Sequence, residues 1–173
     1  MASAQASEWQ APMERELASM SKHEVYELVP APKGRKIVGS MWVCKVYTSR
    51  FCAQRFSQVA GTDFGSMYAP VCRIPSVRIV SAIAASHNWN VIQLDVKTAF
   101  LQSEMKEELY ARQPVGFDKL DLNGQPYICK LKKSLYGFRQ SPRNWHGTIH
   151  HELIAKGFKG CTCDPCIYVT SDN

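Results

Sequence analysis

Residues 93–101, with the sequence QLDVKTAFL, carry a single carboxylate, Asp95, five residues before an aromatic ring, Phe100. Because residues 90–96, NVIQLDV, are mostly apolar, we predict that they form a buried strand. A strand that presents one aspartate at the edge of a site and then turns into a short helix can hold a divalent metal ion against the phosphates of a nucleotide. Two simpler interpretations stay open. Aspartate is also a favoured helix N-cap that needs no metal, and most phenylalanines are core residues.

Residues 131–145, LKKSLYGFRQSPRNW, form a second segment whose side chains could bind a ligand. One glycine lies inside a run of aromatic and cationic side chains, and Ser141 and Pro142 follow at a helix start. Such a surface suits the stacking of a flat base or sugar together with the neutralisation of phosphate charge. Lys130 and Lys132 alternate along a predicted strand and either add phosphate contacts or form a solvated face, since charged side chains usually stay exposed.

The composition limits the kinds of protein that this chain can be. A chain of 173 residues that is 45% hydrophobic is sufficient for one domain with its own core. The 21 Lys and Arg outnumber the 15 Asp and Glu, and the net charge of +6 favours polyanionic partners without establishing one. Seven cysteines behind an N-terminus without an apolar leader favour free thiols in a reducing compartment. No apolar stretch approaches the roughly 20 residues that cross a bilayer, so we predict a soluble, intracellular, cytoplasmic protein without membrane contact.

Hydrophobic periodicity and turn signals predict a mixture of helices and strands. We expect Ser76 to be the N-cap of the second helix and Gly157 to end the third. The predicted helices cover 12–20, 76–88 and 142–156, and the predicted strands cover 24–29, 36–47, 90–96, 107–113, 126–133 and 166–169.

A group of cysteines near the C-terminus raises the question of a zinc site. Cys161, Cys163 and Cys166 follow His146 and His150, which are four residues apart on one helix face. Zinc requires four ligands and is usually held by paired ligand motifs. Because this spacing matches no standard zinc module, we favour free thiols in a loop beside surface histidines.

Together these segments resemble the reverse transcriptase domain of copia-type retrotransposons, and the resemblance covers most of the chain. Four stretches carry it, and in combination they are far more specific than a short motif. They read ELVPAPKGRKIVGSMWVCKV, SQVAGTDFGSMYAPVCRIPSVR, NWNVIQLDVKTAFLQSEMKEELYARQPVGF and CKLKKSLYGFRQSPRNWH.

The resemblance implies an α+β fold that is part of a right-hand polymerase, with an antiparallel sheet and packed helices. It implies one truncated domain over residues 1–173, in which residues 1–75 are fingers-like and residues 76–173 form the first part of a palm. The implied activity is RNA-directed DNA polymerisation, with an RNA template, a DNA primer and deoxynucleoside triphosphates as partners. In an intact element the setting would be a cytoplasmic virus-like particle.

The resemblance also implies roles for individual residues. Asp95, with the backbone of Val96 as a further ligand, would bind catalytic Mg2+. Phe100 would lie under the sugar of the incoming nucleotide and disfavour a 2′-hydroxyl. The template and nucleotide pocket would be formed by Tyr136, Gly137, Phe138, Arg139, Gln140, Ser141 and Pro142.

The chain departs from the family in two places. The family places a YVDD hairpin, with the remaining catalytic aspartates, just after the strand that begins here at Cys166, whereas this sequence ends at Asn173. One carboxylate cannot hold two magnesium ions roughly 3.5–4 Å apart, so we expect no polymerase activity from this chain. The alternative is a non-catalytic remnant that binds nucleic acid or protein.

The second departure lies in the fingers. The family pattern RYKARLVAKGF corresponds here to the shorter TSRFCAQRFSQ at residues 48–58, with Cys52 at the lysine position and Gln54 at the first arginine position. We therefore expect the strand at 36–47 to lack a partner beside Trp42 and Val43, and an unpaired strand favours marginal stability or self-association.

Overall fold

The structure is a computed structural model that describes residues 6–45, 48–59, 61 and 63–170. The helices are α1 (Ala6–Lys22), α2 (Ile74–Ser86) and α3 (Ser141–Ala155), with short 3-10 helices at Arg55–Ser57 and Ala99–Gln102. The strands are β1 (Tyr26–Val29), β2 (Ile37–Val38), β3 (Ser40–Lys45), β4 (Thr48–Ala53), β5 (Tyr110–Arg112), β6 (Ile128–Leu131), β7 (Lys159–Gly160) and β8 (Tyr168–Val169). None of the described helices is both long and apolar enough to cross a bilayer.

The main sheet has four strands in the order β1-β6-β5-β2. The β1–β6 and β5–β6 pairs are antiparallel, whereas β2 pairs with β5 in parallel. The fold is therefore mixed helix and sheet with largely antiparallel pairing, as predicted, but with one parallel pair that was not. Each of these pairs except β5–β6 joins strands that are distant in sequence, so the sheet depends on long-range contacts.

The core lies between this sheet, β4 and the segment that precedes α3. Val38, Ala111 and Cys129 of the sheet are fully buried, and Phe51 of β4 is buried with them. The remaining members of the cluster are Met20, Val25, Ala53, Leu101, Leu109, Leu131, Leu135 and Phe138. Leu101 follows Asp95 in the first segment that the sequence singled out, and Leu135 directly precedes Tyr136 in the second. The core therefore anchors both segments.

The expected unpaired strand at residues 36–47 is wrong. The segment divides at Gly39 into β2 and β3, and β3 forms an antiparallel hairpin with β4. Trp42 lies opposite Phe51 and Val43 opposite Arg50, and six residue pairs form although the returning segment is short. The reason for predicting self-association through this strand therefore disappears. Residues 46–47 of the predicted strand lie outside the described residues.

The predicted buried strand at residues 90–96 is also wrong. These residues have no strand structure and are all exposed, with Leu94 at 86% and Ile92 at 79% relative exposure. A buried strand needs hydrogen-bonding neighbours and a surface to pack on, and no strand among the described residues pairs with this segment. The neighbouring helix α2 is similarly open, since its only buried residue is Ala84.

Helix boundaries agree with the prediction to within about two residues, except at the start of α1. The third helix is confirmed at Ser141–Ala155, and Gly157 follows it at φ +87°, a conformation that suits glycine. The first helix is longer than predicted. Ser76 is not an N-cap, because α2 already begins at Ile74 with Arg73 as its N-cap residue.

The buried carboxylate of Asp164 connects the C-terminal cysteine loop to the start of α2. It accepts hydrogen bonds from the backbone N–H of Cys166 at 2.9 Å and of Arg73 at 3.1 Å. These bonds favour the ionised form, so the pKa of Asp164 lies below its usual value, chiefly because of Cys166, with Ser76 and Arg73 contributing further.

We expect Asp164→Asn to lower the thermal unfolding midpoint at pH 7. A carboxylate whose pKa is lowered by folding stabilises the folded state at pH values above the pKa of the unfolded aspartate, about 3.9. This stabilisation is lost as the pH falls through the pKa of the folded state. The difference in midpoint between wild type and variant should therefore shrink below about pH 4. Asp118→Asn changes the same charge at an exposed position and serves as the control. An unfolding difference that does not change with pH would contradict the assignment.

Candidate functional site

A cleft of about 650 Å³ lies between α1, β4 and the turn that follows Asp95. Its walls include Arg15 and Glu16 from α1, Arg50 from β4, and the run from Asp95 to Ala99. Tyr136 lines the cleft from the second segment. The two segments singled out in the sequence therefore meet here, together with residues from α1, which carried no recognisable motif, and from β4.

Asp95 reaches this cleft from an exposed segment without regular structure, just before the turn at Lys97 and Thr98, and not from a strand. Thr98 has the left-handed backbone conformation at φ 53° and precedes the short helix Ala99–Gln102. Leu101 is fully buried and fixes that helix to the core. The turn into a short helix is thus confirmed, and the carboxylate projects into a solvated site because its own segment lies outside the core.

An aromatic and cationic stack forms beside Asp95. The rings of Phe100 and Tyr136 lie 4.9 Å apart between centroids at an angle of 59°. The guanidinium carbon of Arg50 lies 4.7 Å from the centroid of the Tyr136 ring. Burial raises the pKa of the Tyr136 hydroxyl, which Arg50 partly offsets. Tyr136 is therefore a neutral ring in contact with both a phenyl group and a cation, and each contact is worth about 0.5–2 kcal/mol.

Glycine at position 137 permits the closest backbone approach in this region. Gly137 has φ +93°, and a Cβ there would lie 2.1 Å from the carbonyl oxygen of Ala53. The neighbouring Tyr136 carbonyl accepts a hydrogen bond from the Ala53 N–H at 2.8 Å. This contact fixes the second segment against β4 and thereby places Tyr136 under Arg50.

The rest of the predicted template and nucleotide pocket does not line the cleft. Phe138 belongs to the core, and Ser141 is buried with its hydroxyl donating to the Leu135 carbonyl at 2.6 Å. Pro142 is exposed in the first turn of α3. The guanidinium carbon of Arg139 lies 5.2 Å from the ring centroid of Phe64.

Gln140 is fully buried and bonded to protein groups. Its side-chain N–H donates to the Asp63 carbonyl at 3.0 Å, and its oxygen accepts from Gln58, also at 3.0 Å. The Asp63 carboxylate pairs with Lys36 at 2.9 Å. Gln140 therefore connects the start of α3 to the loop after β4, a role that sequence spacing gave no sign of.

The donor set at the cleft does not fit a two-magnesium site. Asp95 and Glu16 are the carboxylates that line it, and Arg15 and Arg50 lie among them. Across the described residues, no group of three or more His, Cys, Asp or Glu side chains is arranged to hold a metal ion. Near the cysteine loop, His146 and His150 stack at 6.2 Å, and His150 hydrogen-bonds the Tyr168 hydroxyl at 2.8 Å.

Comparison with known proteins adds to this geometry. A family model described as reverse transcriptase (RNA-dependent DNA polymerase) matches residues 23–173. The chain belongs to this family. Among similar proteins, the retrovirus-related Pol polyprotein from transposon TNT 1-94 of Nicotiana tabacum is 37% identical over 90% of this chain. The corresponding polyprotein from transposon RE1 of Arabidopsis thaliana is 33% identical over 93% of it.

A more distant relative is the transposon Ty1-BL Gag-Pol polyprotein of Saccharomyces cerevisiae, which is 31% identical over 69% of this chain and is matched over 7% of its own length. The chain spans 12% of the length of each of the two plant polyproteins. No solved structure matches it. The predicted membership in the reverse transcriptases of copia-type transposon polyproteins is thus confirmed.

We expect Gly137→Ala to destabilise the chain strongly. The left-handed conformation alone costs an alanine about 1–2 kcal/mol, and the collision with the Ala53 carbonyl adds to it. Chemical denaturation of both proteins measures the difference. Gly147→Ala is the matched control, because Gly147 lies inside α3 with no atom within 4 Å of the added methyl. That control should be neutral or stabilising by up to about 1 kcal/mol. Equal stability of Gly137→Ala and wild type would contradict the proposed close approach.

Proposed function

We propose that this chain contributes the fingers and the first part of the palm to an RNA-directed DNA polymerase of a copia-type element. Residues 1–75 would be the fingers-like part and residues 76–173 the palm-like part of a partial right hand. The substrates would be an RNA template, a DNA primer and deoxynucleoside triphosphates, and the setting would be intracellular. The observation that supports this best is that Asp95 and Tyr136 line one cleft, with the Phe100 ring in contact with Tyr136.

Within this proposal, Asp95 and the backbone of Val96 are this chain's contribution to a magnesium site. When bound, Mg2+ would neutralise phosphate charge during nucleotidyl transfer. Phe100 would limit the space beside the nucleotide sugar, and its contact with Tyr136 would hold the ring in place. The exposed carboxylate of Asp95 is available to an incoming ion because its turn lies outside the core.

We expect the isolated chain to extend no DNA primer on an RNA template with Mg2+ and deoxynucleoside triphosphates. Among the described residues, the carboxylates that line the cleft are Asp95 and Glu16, which lie beside two arginines. Two carboxylates are too few to hold two divalent ions against their mutual repulsion. A gel-based primer extension assay measures this, with a retroviral reverse transcriptase as the positive control. Robust product that disappears in Asp95→Asn would refute the expectation of inactivity.

The metal-binding role of Asp95 can be tested without activity. In a 15N-labelled chain, millimolar Mn2+ should broaden the backbone amide signals of residues 95–98, because the ion would be held beside them. Asp95→Asn should abolish this broadening, and the exposed Asp118→Asn should leave it unchanged. If broadening at these residues persists in Asp95→Asn, Asp95 is not a ligand, and the chain fits a non-catalytic remnant better.

A further inference from the structure

The loop between β7 and β8 contains, among its three cysteines, two that are separated by a single residue, Cys161 and Cys163. The base of the loop is closed, because the Cys161 N–H donates to the Ile167 carbonyl at 2.8 Å and the Ile167 N–H donates to the Asp164 carbonyl at 3.1 Å. Within the loop the chain bends at Thr162 and Cys163. The Cα atoms of residues two apart lie at most about 7 Å from each other, and a bend brings them into the range of roughly 4.4–6.8 Å that a disulfide spans.

Hydrogen-bond donors are directed at the sulfur of Cys161. They are the backbone N–H groups of Cys163 and Asp164 and the thiol of Cys163. These bonds stabilise the thiolate, so the pKa of Cys161 lies below its usual value, chiefly because of the Cys163 N–H. The thiolate is the nucleophilic form of cysteine. A nucleophilic sulfur and a second thiol are therefore in contact within one loop.

The buried side chain of Asp164 holds the donor groups of this loop in position. Its carboxylate accepts hydrogen bonds from the N–H groups of Cys166 at 2.9 Å and Arg73 at 3.1 Å, which fix the loop against the start of α2. The N–H of Asp164 itself is thereby held towards the sulfur of Cys161. Donors that are already oriented stabilise a charge without reorganisation.

The loop is also accessible to a reagent from solvent. Thr162 and Cys163 are exposed, and Cys161 is partly exposed. Elsewhere in the chain, burial raises the pKa of Cys52 to about 11 and that of Cys129 to about 12. Those two thiols stay protonated near neutral pH, whereas Cys161 combines access with a stabilised thiolate, the combination that marks redox-reactive cysteines.

We propose that Cys161 and Cys163 form a redox-active pair, in which a small-molecule disulfide such as glutathione disulfide modifies Cys161 and Cys163 resolves the product. The Cys161 thiolate attacks one sulfur of glutathione disulfide, which forms a mixed disulfide and releases one glutathione thiolate. Cys163 then loses its proton to solvent and attacks the Cys161 sulfur. The protein disulfide forms and the second glutathione thiolate leaves, so two protein thiols are oxidised and one glutathione disulfide is reduced.

Mass spectrometry of the 173-residue chain after incubation with glutathione disulfide at pH 7 tests this pair. In the wild type, the tryptic peptide that follows Lys159 should lose two hydrogens, and fragmentation should place the bond between Cys161 and Cys163. In Cys163→Ser the same peptide should instead carry one glutathionyl group, on Cys161, because nothing resolves the mixed disulfide. Cys166→Ser is the matched control in the same loop and should form the disulfide as the wild type does.

An alkylation experiment separates the stabilised thiolate from simple exposure. Cys44 is exposed and Cys161 only partly so, and exposure alone would therefore make Cys44 react first. With limiting iodoacetamide at pH 7 we expect Cys161 to react about threefold faster or more. In concentrated urea the difference should disappear, because the loop that holds the donors is lost.

Three results would overturn the pair. They are a wild-type disulfide that joins Cys166 to either of the other two cysteines, resolution of the mixed disulfide in Cys163→Ser, and alkylation of Cys161 no faster than that of Cys44. Circular dichroism confirms that each variant is folded. None of these measurements depends on polymerase activity or on a metal at Asp95, so the redox pair and the proposed function stand or fall separately.

Discussion

The backbone at residues 136–137 lies so close to β4 that only glycine fits at position 137 without displacing the Ala53 carbonyl. This approach, with the hydrogen bond from the Ala53 N–H to the Tyr136 carbonyl, joins the β3–β4 hairpin to the segment before α3. Helix α1 packs on the same strand β4. Three parts of the cleft wall therefore depend on β4, since Arg50 belongs to it and both Tyr136 and α1 are held against it.

The polar network around Gln140 also stabilises the contact between β4 and the segment before α3. Gln140, Gln58 and the Asp63 carbonyl bond one another in the interior, and buried polar groups that are fully paired fix a structure more strictly than apolar contacts do. Much of the segment at residues 136–142 therefore serves to hold the fold together.

Apolar side chains are exposed in the segment before Asp95 and in α2. Val91, Ile92 and Leu94 are exposed, as are Val77 and Ile79 of α2. The apolar pattern of residues 90–96 predicts a buried strand. The prediction is wrong because a strand is stabilised by neighbours that its own sequence does not contain. By contrast, α3 was predicted nearly to the residue, because a proline at the start and a glycine at the end act locally.

The sequence by itself determined the family, the Asp95–Phe100 spacing, the α3 boundaries and the mixture of helices and strands. These follow from local periodicity, local turn chemistry and motif spacing. Only the tertiary structure decided that β3 has a partner, that Gln140 is buried, and that Arg15 and Arg50 share a cleft with Asp95. Those facts depend on contacts between residues that are distant along the chain. No local pattern specifies such contacts, because they arise from the packing of whole elements.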